Sequence, residues 1–257
     1  MDLADALDLG DEAVVALVGA GGKKTAMGTL VEAGLARNRR IGYTTTTHSP
    51  PPEGIDLVVA NPFALPGALP EGLPGTDEPV ALAAERVPDP DRAAEKVRGF
   101  DPTVVDRLAA TGRFDWLLVK ADGARRREFK APGPDEPQIP ASASVVVPVA
   151  SVAAVGAPLD EDRVHRPERV AALTGREPGE CLTVEDVATV LASPAGGLKR
   201  VPSEARVVPM VNKADGPDER HRARTVIERA LAATDRFDAG LVTSFRNDEL
   251  AIVRRSR

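Results

Sequence analysis

A doubly wound α/β fold with a mostly parallel sheet is predicted by three features of the sequence. Short apolar runs alternate with stretches of helical spacing along most of the chain. The runs are continuous rather than alternately apolar and polar, as in strands buried on both faces. The polar clusters fall at the carboxyl ends of these runs, where open α/β sheets bind ligands. With 257 residues, 42% of them hydrophobic, the chain is long enough for one large core, so residues 1–257 are expected to form a single α/β domain.

The elements follow in order. Val14 to Val18 is an apolar run closed by Gly19, and Thr25 to Arg37 continues with helical spacing, so the first unit is strand, glycine loop, helix. RIGYTTTTH, from Arg40 to His48, reads as a second strand, because β-branched threonine favours extended backbone. Ile55 to Ala60 is a further strand. Dense Pro and Gly between Asn61 and Pro90 leave irregular chain with one short strand at Val80 to Ala84. Helical spacing returns at Asp91 to Arg98 and at Thr103 to Ala110. FDWLLVKADG, beginning at Phe114, is a buried strand that delivers Asp122 at its carboxyl end, and Ser144 to Val149 is another. Pro167 to Leu173 and Val184 to Ala192 are helical, the second opened by Thr183 as N-cap with Asp186 in the capping-box position. RVVPMVNKAD runs as a strand into Asn212 to Asp215; Asp218 to Thr234 is a helix, and Asp238 to Ser244 the last strand. The stretch between Asp122 and Asn212 is longer than one strand-helix-strand step needs, so a small helical insertion is expected over residues 160–205.

Composition excludes several function classes. Net charge is −6 and the pI about 5.3, so no overall positive field is present to hold a nucleic acid, and basic residues must act locally. A lone cysteine, Cys181, rules out an intrachain disulfide framework and fits a reducing, cytoplasmic location. The acidic start MDLADALDLGDEA is unlike an export signal. The uncharged run from Ala141 to Leu159 is broken by Pro148, Gly156 and Pro158, which fits a strand and turn and not a membrane span.

The chemistry is concentrated at the strand ends. In VVALVGAGGKKT, Gly19, Gly21 and Gly22 lead into Lys23, Lys24 and Thr25. The full GxxxxGK[ST] pattern is not met, since Leu17 stands at its first glycine and Lys24 at its hydroxyl. A shorter glycine loop ending in Gly22-Lys23 resembles the nucleotide loop of the Mur ligases. Its mechanics are those of a P-loop: glycines turn N–H groups toward an anion, the helix N-terminus adds partial positive charge, and Lys23 reaches the phosphates. This makes the expected fold P-loop NTPase-like. After the second strand come the hydroxyls of Thr45, Thr46 and Thr47, as switch-like groups, and His48. Asp122 is the candidate metal-side carboxylate, with a catalytic role beside Lys23. The loop that follows packs Arg125, Arg126, Arg127 and Lys130 together, either to clamp an anion or as solvated surface charge. NKAD places Asn212 and Asp215 where a base could be read: a carboxylate accepts from guanine N1–H and its exocyclic amine while the Lys213 stem packs on the ring. Thr243 and Ser244 end the next strand as a second base contact. GTP is therefore favoured over ATP. The three histidines, His48, His165 and His221, do not form a metal cluster by spacing.

The segments VGAGGKKT, TTTTH, ADGARRREFKAPGPDEPQIP, VHRPERV and VNKAD, in this order, resemble the YqeC family, described as accessory proteins for selenium-dependent molybdenum hydroxylases. The resemblance implies a nucleotide-binding protein that helps mature, or load cofactor into, a molybdenum enzyme; a molybdenum hydroxylase or its cofactor-loading proteins would be partners. Two positions depart from the family pattern. Lys24 stands where the loop has a hydroxyl, and Lys120 where an acid precedes ADG. Both put a cation where Mg2+ would be supported, which brings that metal into question. The leading reading is a slow NTPase acting in maturation. The alternative is a carrier of a nucleotide-containing cofactor or precursor that hydrolyses nothing, and the two lysines favour it. A small-molecule kinase would need an acceptor pocket and a base that the sequence does not display.

Overall fold

The structure, a computed structural model, describes residues 1–65, 67, 69, 74–89 and 95–255. A short helix α1 (Leu3–Ala6), capped by Asp2, precedes β1 (Ala13–Gly19), the glycine loop and α2 (Lys23–Leu35). Then come β2 (Ile41–Thr45), β3 (His48–Ser49), β4 (Asp56–Val59), β5 (Val80–Ala83), β6 (Glu85–Pro88), β7 (Glu95–Arg98) and α3 (Pro102–Ala109). The chain continues through β8 (Trp116–Lys120), β9 (Phe129–Lys130), β10 (Val145–Ser151), a 3-10 turn (Val152–Ala154), β11 (Val164–His165), α4 (Pro167–Thr174) and α5 (Val184–Ala192). It closes with β12 (Arg206–Val207), β13 (Met210–Asn212), α6 (Pro217–Ala233), β14 (Ala239–Ser244) and β15 (Glu249–Arg254).

The central sheet has the order β15-β14-β13-β10-β1-β8-β2-β5-β4, with β12 also on β10. Every pairing in it is parallel except that of β14 with β15. The RVVPMVN run is one strand path interrupted at Pro209, whose carbonyl accepts from Leu241 on the β14 side but which has no N–H to give that ladder. Side chains alternate between the faces. Val15 and Leu17 of β1, with Trp116 and Leu118 of β8, pack on Met27 and Leu30 of α2. Ala16 and Val18 face Val187 and Leu191 of α5 and Val226 and Ile227 of α6, and Leu117 and Val119 face Val105 and Leu108 of α3. This two-sided packing is why the strands read as continuous apolar runs. It is the predicted α/β class, consistent with a P-loop NTPase-like fold. Residues 160–205 contain β11, α4 and α5, and α5 lies against α6. Among the described residues no helix is long and apolar enough to cross a membrane.

Three expectations need correction. Of the helix expected at Asp91 to Arg98, residues 91–94 lie outside the described residues, and Glu95–Arg98 is β7, paired antiparallel with β6 and β3. Charges spaced as on a helix face instead make cross-strand ion pairs, Arg98 to Glu85 at 2.7 Å and Arg86 to Glu95 at 2.8 Å. The strand expected through His48 stops at Thr45, because the chain there bonds sideways to the Gly99 turn: Phe100 N–H donates to the Thr45 carbonyl and Gly99 N–H to that of Thr47, both at 3.0 Å. His48 begins a strand of a second, three-stranded sheet. Nor is Asp238 to Ser244 the last strand, since β15 returns antiparallel along it as a half-exposed edge.

The close approach at Gly99 holds the threonine turn. A methyl group there would collide with the Thr45 carbonyl. Gly99→Ala is expected to cost about 1–3 kcal/mol, as overpacking does, and thermal unfolding should show a Tm lower by roughly 2–10 °C. An unchanged Tm would show that the turn shifts freely.

Candidate functional site

The site is built around the end of β1. Gly19, Gly21 and Gly22 all have positive φ (87°, 86° and 142°), a path that L side chains rarely adopt. The loop is also packed tightly from below: a methyl on Gly21 would meet Ser151, and one on Gly22 the Asn212 amide. Gly22 caps α2 without a side chain, and the first turn holds no acid. Gly19 N–H donates to Asp122 at 2.8 Å and Ala20 N–H to the Val149 carbonyl at 2.9 Å. The N–H groups of Gly21, Gly22, Lys23, Lys24 and Thr25 meet no acceptor among the described residues. Unaccepted N–H groups at a helix N-terminus, reinforced by the helix dipole, form a cradle for an anion.

Beneath this cradle lies a knot of buried charge. Asp122 is 1% exposed; Lys23 Nζ is 2.5 Å from one carboxylate oxygen, and Gly19 N–H and Lys130 Nζ, at 3.1 Å, reach the other. Burial alone would raise the Asp122 pKa, but Lys23 and Lys130 outweigh it and keep the carboxyl ionised. Lys23 Nζ also donates to the Gly19 carbonyl. Lys130 reaches Glu136 at 2.6 Å and the Gly123 carbonyl at 2.5 Å, and Arg166 meets the same Glu136 oxygen at 2.6 Å. Burial opposes ionisation of Glu136 too, yet Lys130 and Arg166 hold it down at about 2. His165, opposite Lys130 in the β9–β11 pair, is pushed down to about 4 by burial and by Arg166 and Lys130, so it is neutral at pH 7.

Lys120 differs from these neighbours. It is 7% exposed, yet its ammonium has no hydrogen-bond or ion-pair partner among the described residues. Strand alternation puts it with Trp116 and Leu118 on the α2 side of the sheet, opposite Leu17 of β1 and Thr45 of β2. Burial, and then the nearby Lys23 charge, push its pKa down to about 7.

The other expected site residues divide into engaged and open ones. Lys23, expected on phosphate, is folded under the loop onto Asp122. Lys24 and Thr25 are exposed at the mouth, with Lys24 Nζ 3.4 Å from the Pro51 carbonyl. Thr45 donates to the Lys120 carbonyl at 2.8 Å and Thr46 to that of Gln138 at 2.7 Å, so these hydroxyls tie strand ends together, while Thr47 is half-buried beside Thr45. Arg125 is exposed in a left-handed conformation. Lys130, read with it as one basic loop, is instead buried in β9, because Asp122 and Glu136 neutralise it there.

At the other end, Asn212 is buried; its amide donates to the Gly21 carbonyl at 3.0 Å and accepts from Thr243 at 3.1 Å. Asp215, half-buried, accepts from Ser244 at 2.6 Å through one oxygen. Lys213, with φ of 65°, has its ammonium 2.7 Å from both oxygens of Glu128. Beside it opens a cleft of about 510 Å3 flanked by Arg163 and Arg222. Sequence reasoning missed Glu136, Arg166 and Glu128. Their signal was an acid or arginine inside two of the family-like segments, ADGARRREFKAPGPDEPQIP and VHRPERV, where nothing marked which charges are buried.

A family model described as "YqeC protein" matches residues 15–168. A protein of Escherichia coli (strain K12), described as "Uncharacterized protein YqeC", is 33% identical over 213 residues, covering 80% of this chain and 79% of its own length.

An unpartnered buried ammonium destabilises the fold. A lysine pKa lowered from 10.5 to about 7 means that the unfolded chain binds a proton the folded one resists, so stability rises with pH across that window. Lys120→Met is expected to stabilise the ligand-free protein by about 1–3 kcal/mol near pH 7. Denaturant titrations should show the gain shrinking as pH rises toward 10.5; a loss of stability at neutral pH would mean that Lys120 is already satisfied.

Proposed function

The chain belongs to the YqeC family, and from that premise and the geometry of its glycine loop we propose that it is a nucleotide-binding accessory protein, with GTP favoured over ATP. The observation that carries this reading is the row of unaccepted N–H groups from Gly21 to Thr25, next to the Lys120 ammonium and the exposed Lys24. Donors and cations concentrated at a helix N-terminus match a polyphosphate better than any neutral ligand. Guanine is favoured because Asp215 has one carboxylate oxygen held by Ser244 and the other without a hydrogen-bond partner among the described residues, able to accept from N1–H and the 2-amino group, which adenine lacks. The client, a molybdenum hydroxylase, comes from the family resemblance, and the cytoplasmic location from the lone Cys181.

One observation favours a carrier over an NTPase. Both oxygens of Asp122 are taken by lysines and a loop N–H, so the carboxylate has no free oxygen with which to orient a water. Binding with little or no turnover is the form of the activity that fits this arrangement.

Calorimetric titration with GTP, ATP and xanthosine triphosphate tests the reading. GTP should bind most tightly to the unaltered chain. Asp215→Asn should weaken GTP at least about tenfold, as expected when hydrogen bonds to a charged group are lost, and should favour xanthosine triphosphate, whose C2 oxygen accepts from an amide. Phosphate release in the same samples should stay close to background. Equal binding of all three bases would remove the guanine assignment, and rapid phosphate release would reinstate the NTPase.

A further inference from the structure

The fold implies Mg2+ beside the phosphates, and the residues at the loop do not fit it. The hydroxyl position is Lys24, the strand-end carboxylate Asp122 is saturated by Lys23, Lys130 and the Gly19 N–H, and Lys120 faces the same space. Among the described residues no group of three or more His, Cys, Asp or Glu is placed to hold a metal ion. A divalent cation brought to this point would meet the Lys23 and Lys120 ammonium groups and a strand-end carboxylate already bound on both oxygens, while the nearest acid to Lys24, Glu53, is exposed at the mouth.

We infer that Lys120 occupies the place of the divalent cation, so that this chain binds the phosphates of its nucleotide without metal. This rests on the proposed nucleotide reading. Three observations support it. Lys120 is more than nine-tenths buried, and among the described residues its ammonium has no hydrogen-bond or ion-pair partner, Asp122 and Glu136 acting on it only from beyond contact distance, so it lacks the paired counter-charge that a buried cation needs. It projects on the α2 side of β8, between the ends of β1 and β2, the side on which the loop and the first turn of α2 lie. The nearby carboxylates that could have neutralised it, Asp122 and Glu136, are already bound by other cations, Asp122 by Lys23 and Lys130 and Glu136 by Lys130 and Arg166. A polyphosphate seated on the Gly21 to Thr25 N–H groups brings the missing negative charge, and a fixed ammonium on a rigid strand needs no metal to complete the site.

The test uses the full chain with GTP, and with inorganic tripolyphosphate as a base-free probe, each in excess EDTA and in excess Mg2+. The unaltered protein should bind GTP within about threefold under both conditions, less than 1 kcal/mol apart. Lys120→Met should lose at least about tenfold in EDTA, the size of a lost charge-assisted contact. Lys120→Glu, which restores an acid to this position, should bind GTP only with Mg2+, an outcome that a purely structural role would not produce. If the unaltered protein binds GTP only with Mg2+, or if Lys120→Met binds as well as it does in EDTA, the inference is overturned while the nucleotide reading stands. If tripolyphosphate binds in EDTA and GTP binds no more tightly, the metal-free site stands and the nucleotide reading falls. Absence of binding by both probes under both conditions overturns the two together.

Discussion

Asp122 meets Lys23, Lys130 and the Gly19 N–H inside the protein, and the shape of the site follows from how that carboxylate is satisfied. An ion buried alone would cost several kcal/mol, so its partners are not optional. They come from the end of β1, the first residue of α2 and the short strand β9, and binding them to one point at the end of β8 fixes the three segments relative to the sheet. Gly19 is held at both of its backbone groups, its N–H by Asp122 and its carbonyl by Lys23. The loop is thereby locked from below, and its N–H groups from Gly21 to Thr25 meet no acceptor among the described residues.

The charge balance around this point is uneven. Lys23, Lys130, Lys120 and Arg166 stand against Asp122 and Glu136. The excess is positive, partly buried, and placed at a helix N-terminus whose dipole has the same sign. In surroundings of low polarity such an excess is felt much more strongly than on the surface, which makes the empty protein pay in stability for what an anion would relieve. Lys120 carries most of that tension, because each of the other cations already has a carboxylate.

Much of the fold was legible because parallel strands covered on both faces leave apolar runs that only a buried strand explains, as at Val14 to Val18 and Trp116 to Lys120. The α5 start was legible from Thr183 and Asp186, which form the capping box. What could not be read was where charged residues go. Glu95–Arg98 has the spacing of a helix face but lies in a narrow sheet, because only cross-strand partners distinguish the two. Lys130 sits among arginines in sequence, yet is buried with Asp122 and Glu136 while Arg125 and Arg126 remain outside. Burial of a lysine depends on partners far along the chain, and local pattern carries no record of them. Lys120 was visible as a departure from a family pattern, but its isolation was not.

Asn212 links the two ends of the candidate site. Its amide nitrogen holds the Gly21 carbonyl and its amide oxygen holds Thr243, so one buried side chain joins the glycine loop to the end of β14. Ser244, the next residue, holds Asp215, the carboxylate proposed as the base contact. The Gly22 backbone approaches the Asn212 amide so closely that no side chain fits between them. The glycine loop and the Asp215 carboxylate are therefore set at a fixed separation by strand geometry and three hydrogen bonds, not by flexible loops. In that arrangement the NKAD segment serves first as a spacer: the Asn212 amide is used up inside the protein, while one Asp215 oxygen has no hydrogen-bond partner among the described residues.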